Sequence, residues 1–291
     1  MEKNNRVKIK VMTCSALLIA VICVSIVGRI FYKEAFAPSS KKVPIYSVDT
    51  KDKKIAITFD VNWGDDKTNE ILDTLDKYNA KATFYIIGLW CDDYPEKVKE
   101  IVKRGHEIGN HSNKHPDYTK MTKENIIKDL EIANAKILSL TGESPKTFRF
   151  PSGAYNDIAM EAIESTGLKA IQWDADSVDW KANGADIEYE RIVSKAKEGS
   201  ILLFHNDGKY TPENLPRIIE KYQSMGYEFV KVSELIYNKD YYLDHTGKQI
   251  LNKEWIGSKY HTRLKLDRYE FDRINMALNW KLANKLRRNK S

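Results

Sequence analysis

Seven short apolar runs punctuate residues 55–232: IAITF (55–59), ATFYII (82–87), HEIG (106–109), TFRF (147–150), KAIQW (169–173), SILLF (200–204) and YEFVKV (227–232). Each is too short for a helix and reads as a buried strand. Amphipathic stretches separate them, at 67–78, 95–104, 122–140, 157–165, 186–197 and 211–225. The stretch 122–140 is the clearest, with Ile126, Leu130, Ala133, Ile137 and Leu140 on one face and Thr122 as N-cap. Gly167 and Gly226 suit helix ends. Strand-helix repetition predicts an α/β fold whose parallel strands are joined by right-handed crossovers. About seven such strands close as a barrel or lie open as a doubly wound sheet. No GxGxxG or Walker sequence follows the first strand, which counts against a nucleotide-binding sheet.

Polar residues gather just past the strand ends. The first strand ends at Asp60, the third runs into His111 and His115, and the fourth carries Arg149 and then Pro151-Ser152-Gly153. The fifth leads to Asp176, Asp179 and Trp180, and the sixth ends at His205. In a parallel barrel these ends share one rim, where active sites form. If HSNKH is one helical turn, His111 and His115 share a face and can bind a divalent cation. Asp60 then serves as a carboxylate ligand or as a general base. His205 reads as a general acid, its pKa raised by a neighbouring carboxylate, either Asp176 or Asp179. Arg149 can pair with Asp60 and hold it ionised. Trp63 and Trp180 suit stacking on a sugar ring.

Charge is unevenly spread along the chain. The net +6 comprises +7 over residues 1–54, −8 over 55–238 and +7 over 239–291. An acidic middle disfavours nucleic-acid binding there. Only Cys91 lies outside the apolar N-terminal run that holds Cys14 and Cys23, so a disulfide scaffold is excluded. Residues 11–28 carry no charge, and at about 1.5 Å per residue they span a bilayer's hydrocarbon thickness. Lys3, Arg6, Lys8 and Lys10 precede them, as a cytoplasmic N-terminus requires. The expected organisation is a cytoplasmic segment (1–10), a transmembrane signal anchor (11–31), a linker (32–54), a catalytic domain (55–238) and a basic, partly helical tail (239–291). The tail's helix is expected at 267–288. Partnership with the membrane runs through the N-terminal helix, and the domain is placed outside the cell membrane. The alternative is secretion after cleavage near Ala35-Phe36-Ala37.

Five motifs in order carry a family likeness: TFD at 58–60, GNHSNKH at 109–115, RFPSG at 149–153, DSVDW at 176–180 and LLFH at 202–205. Over roughly 55–236 the chain resembles the NodB-type polysaccharide deacetylases, carbohydrate esterase family four. The FD-x-x-WGD form resembles its sporulation-associated branch. The resemblance implies an irregular, incomplete (β/α) barrel and removal of acetyl groups, chiefly N-acetyl, from a cell-wall polysaccharide such as peptidoglycan. It implies a divalent metal, zinc first, with cobalt, nickel or manganese as alternatives, held by His111 and His115. It further implies Asp60 as base, Arg149 orienting it, Asp176 tuning His205, His205 as acid, and an oxyanion hole at the backbone of Ser152. Two departures stand out. The family's second Asp of TFDDG, a metal ligand, is replaced by Val61, and either Asp65 or Asp66 substitutes as the ligand or water fills the place. Ser152 stands where the family has an aromatic residue. The rival reading is a non-catalytic glycan-binding or spore-envelope protein that has lost the metal.

Overall fold

β2 (Lys54–Val61) organises the fold, and all of its residues after Lys54 are buried. The computed structural model describes residues 42–64 and 67–252, with Ser25 alone before them. The segment at 11–31, the pair Asp65-Asp66 and the helix expected at 267–288 lie outside the described residues. Among the described residues no helix is long and apolar enough to cross a membrane.

β2 is flanked by parallel strands on both sides, β3 (Ala82–Ile86) and β8 (Ile201–His205). Beyond them lie β4 (Glu107–Asn110), β5 (Thr147–Phe148), β6 (Lys169–Ala170) and β7 (Ala175–Asp176). The order is β6-β5-β4-β3-β2-β8-β7, with β9 (Glu228–Phe229) paired to the start of β2. Every described pairing in this sheet is parallel, so the expected barrel of about seven strands is present in open form. The register sets Asp60 level with Tyr85 on one neighbour and His205 on the other.

The pleat of β2 divides the interior in two. Ile55, Ile57, Phe59 and Val61 face outward and pack with Ile71, Leu72 and Leu75 of one helix and Ile218 and Ile219 of another. Each such side chain contributes about 1.5–3 kcal/mol by leaving water. Ala56 faces inward to Tyr85, Ile171 and Ile201. Thr58 and Asp60 share that inward side, because successive residues alternate across a strand. Val61 is wholly buried and belongs to the same outer cluster as Phe59 and Ile86.

Helix ends follow their cap chemistry. Thr122 accepts from the Asn125 backbone N–H at the start of Lys123–Thr141, and Gly142 closes that helix at φ 78°. Asn156 accepts from Ala159 N–H to begin Asp157–Ser165. The run at 227–232 is strand only at Glu228–Phe229, and its last residue begins a short helix, Val232–Leu235.

Two segments expected outside the domain belong to it. Within the residues read as linker, Ile45 and Val48 are buried. The Ile45 N–H donates to Ala170 O and its carbonyl accepts from Gln172 N–H, while Val48 N–H donates to Gly199 O. This strip bridges the β6 side and the β8 side of the opening. The start of the expected tail is likewise a hairpin of β10 (Tyr241–Leu243) and β11 (Lys248–Leu251). It packs on β1 (Ser47–Val48) as a separate three-stranded sheet. Both segments are stabilised by backbone pairing at long sequence separation, which composition does not report.

Candidate active site

A cavity of about 550 Å³ opens at the C-terminal ends of the strands. Asp60, Asn62, Trp63, His115, Ser152, Trp173, Asp176, Trp180, His205 and Asp207 line it. The expected rim residues are thus together, except that His111, Arg149 and Asp179 are buried and do not line the cavity.

Asp60 is clamped from below. Arg149 Nη1 donates to its Oδ1 at 2.8 Å and to Thr58 Oγ1 at 2.8 Å, and Nη2 donates to Gln172 O at 3.1 Å. The guanidinium lies over the Tyr85 ring at 4.1 Å and near Trp173 at 5.4 Å. Burial pushes the Asp60 carboxyl up. The Arg149 charge and hydrogen bond, with the nearby imidazoles, outweigh it and hold the carboxyl below its ordinary value.

His111 Nδ1 lies 2.9 Å from the Arg149 carbonyl, which can only accept, so the ring proton sits on Nδ1. Nε2 is then a bare lone pair, buried and unpartnered, 3.5 Å from Asp60 Oδ2. Burial drives the His111 pKa down to about 4, so the ring is neutral. His115 is lowered too, again chiefly by burial. The two rings lie 5.1 Å apart. HSNKH is not a helical turn. Ser112 and His115 take left-handed φ of 77° and 58°, and Ser112 Oγ accepts from His115 N–H. Such backbone is uncommon outside glycine and concentrates at functional sites.

His205 is held by Asp179, not Asp176. Asp179 Oδ1 meets His205 Nδ1 at 2.7 Å, and its Oδ2 accepts from His205 backbone N–H at 2.7 Å and Thr211 Oγ1 at 2.8 Å. Burial alone would lower the His205 pKa, but the Asp179 hydrogen bond and charge outweigh it and raise the pKa to about 9. Asp176 works one step away. Its Oδ1 accepts from Val178 N–H at 2.8 Å, and Val178 turns at φ 56°, which swings Asp179 under the ring. This correction has a steric cause: in a tight left-handed turn, residues three apart point to different places.

Trp63 and Trp180 stand 57% and 64% exposed at the cavity, unusual for Trp and open to a ligand's flat face. Ser152, on a 3-10 turn at φ 54°, lines the same cavity. Asp65 falls outside the described residues. Among the described residues no three His, Cys, Asp or Glu side chains form a group that could hold a metal ion. The residues present nonetheless fit a cation. His111 Nε2 and Asp60 Oδ2 are two electron-pair donors set face to face with no hydrogen between them, beside His115. Sequence reasoning missed Tyr85 and Trp173 as the bed for Arg149, and Asn62 and Asp207 as cavity residues. Asn62 carried a signal, since it lies two residues beyond Asp60.

A family model for polysaccharide deacetylase matches residues 47–171. The chain is 36% identical over 218 residues to the peptidoglycan-N-acetylglucosamine deacetylase PgdA of Listeria monocytogenes, covering 75% of this chain and 45% of that one. It therefore spans about half the length of these Listeria relatives. It is 31% identical to the peptidoglycan-N-acetylmuramic acid deacetylase PdaA of Bacillus subtilis, covering 67% of this chain and 76% of that one. Among solved structures, a CE4 family pseudoenzyme from Bacillus anthracis aligns with a TM-score of 0.64 at 30% identity, covering 71% of this chain and 70% of that one. A mutant of that protein with restored enzymatic activity aligns with the same TM-score. The chain belongs to the polysaccharide deacetylase family, carbohydrate esterase family four.

Proposed function

We propose that this protein removes N-acetyl groups from a cell-wall glycan of the peptidoglycan class. The observation that carries the reading is one cavity in which a carboxylate is kept ionised and an imidazole is kept protonated. Asp60 is held low by Arg149, and His205 is held high by Asp179. Two titratable groups pushed apart in this way define a base and an acid at neutral pH. The relatives named as peptidoglycan deacetylases support the substrate class.

In the proposed reaction Asp60 accepts the proton of the attacking water. Arg149 fixes the carboxylate's rotamer and returns it to the ionised form. His205 donates its proton to the nitrogen as the amide bond breaks, so that an amine leaves rather than an amide anion. Asp179 keeps the imidazole upright and stabilises its charge. Trp63 and Trp180 stack on the sugar rings, and the backbone at Ser152 faces the developing oxyanion. A divalent cation, zinc by first expectation, held by His111 Nε2 and His115, would supply Lewis acidity toward the acetyl carbonyl. We place the domain outside the cell membrane, tethered by the apolar segment at 11–28.

Acetate release from N-acetylated peptidoglycan fragments by the purified chain tests the reading. His205→Ala should lower kcat by about 10²–10⁴, the usual worth of a general acid. A variant within a few-fold of the parent would remove His205 from the reaction. A second reading, a glycan binder without catalysis, is favoured by Val61, an apolar residue at the position of a family ligand. Sugar binding with no acetate release under any divalent ion would establish it.

A further inference from the structure

We propose that Asn62 supplies the oxygen that completes the cation site beside His111 and His115. This rests on the metal-dependent reading of the cavity given above. The family pattern points to residue 61 for this role, but Val61 has no atom that can bind a metal ion. β2 reaches Val61, whose side chain is sealed in the outer cluster with Phe59 and Ile86. Two-residue alternation puts Asp60 and Asn62 on the other side together. Both line the same cavity as His115.

The Asn62 side chain has the right defect. Its Oδ1 is buried and has no hydrogen-bond partner among the described residues. An unpaired buried carbonyl oxygen is unfavourable, and each one calls for a reason. His111 Nε2 is orphaned in the same way. Both orphans are electron-pair donors, and Asp60 Oδ2 beside His111 Nε2 is a third. A cation satisfies such a set at once, whereas a further acceptor group would not. An amide carbonyl is an accepted oxygen ligand for divalent ions, and unlike a carboxylate it brings no charge. The site would then be complete in ligand number but one negative charge poorer than the carboxylate form, with weaker affinity as the consequence.

The test is calorimetric titration of the chelator-stripped full chain with Zn²⁺ and, separately, Mn²⁺. The proteins are the parent, Asn62→Ala, Asn62→Asp, Val61→Asp and His111→Ala, each with its melting temperature recorded. Asn62→Ala should weaken binding by at least about tenfold, since even outer-shell losses cost 10–100-fold. Asn62→Asp, nearly isosteric, should tighten it by about tenfold or more, and by more than Val61→Asp does. Asn62→Asp keeps the proposal falsifiable if Asn62→Ala unfolds. If the parent binds the ion, His111→Ala loses it and neither Asn62 variant changes affinity, the proposal is overturned while the hydrolase reading stands. Tightening by Val61→Asp instead of Asn62→Asp also overturns it. If the parent binds neither ion, both fall.

Discussion

His111 and His205 are two imidazoles near one aspartate, and the fold drives them in opposite directions. His111 is sealed from water and its Nδ1–H donates a hydrogen bond to the Arg149 carbonyl, and burial takes its pKa down to about 4. His205 is also largely buried, yet its pKa rises to about 9. The difference is the geometry of the nearest carboxylate. Asp60 faces His111 Nε2 across 3.5 Å without a hydrogen bond, whereas Asp179 grips His205 Nδ1 at 2.7 Å. Burial removes a proton unless a carboxylate is aimed at the ring. One side of the cavity is thereby a lone-pair donor and the other an acid.

Asp179→Asn breaks the comparison most severely. Without the anionic partner, burial should bring the His205 pKa to or below its ordinary value and lower kcat at pH 7 by about 10²–10⁴. Proton NMR of the His205 ring follows the titration directly. The raised pKa also stabilises the parent fold, fully below the ordinary histidine value and progressively less as pH rises through about 9. Asp179→Asn should lack that slope in urea unfolding. Asp176→Asn, which touches only the turn, should leave the His205 pKa close to the parent's; an equal fall would restore Asp176 as the direct partner.

Arg149→Met attacks the other side. It leaves Asp60 buried without its cation, at a cost of about 3–5 kcal/mol, and raises the carboxyl's pKa. Urea unfolding at pH 7 measures the loss, and a cost under about 1 kcal/mol would mean water reaches Asp60. Val61→Asp should cost less, about 1–3 kcal/mol, the acid protonating among Phe59 and Ile86. The smallest effect concerns Glu188, a buried residue whose pKa burial raises to about 7, helped by Asp179. The fold should lose stability as pH rises from the ordinary carboxyl value through about 7. Glu188→Gln should abolish that slope, seen as a higher Tm than the parent at pH 8 but not at pH 5.

Much of this site was legible because strand ends announce themselves. Asp60, His111 and His205 each follow an apolar run and Arg149 lies within one; Asp60 and His205 meet at one rim, with His111 and Arg149 buried beneath. The helix at 123–141 was legible from its period and its Thr122 cap. What was hidden depends on backbone that local sequence does not announce. Left-handed turns at Ser112, His115 and Val178 set the two histidines and choose Asp179 over Asp176. The strip holding Ile45 and Val48, and the hairpin at 241–251, form through pairings across the chain, in strands of two to four residues.

Amide hydrolysis as proposed needs an ionised Asp60 and a protonated His205 in one cavity. The pH dependence of acetate release from N-acetylated peptidoglycan fragments tests it most directly. A plateau through neutral pH and a fall above about 9 are expected, as His205 loses its proton. A rate that keeps rising through pH 9, or no acetate at any pH with divalent ion supplied, would contradict it.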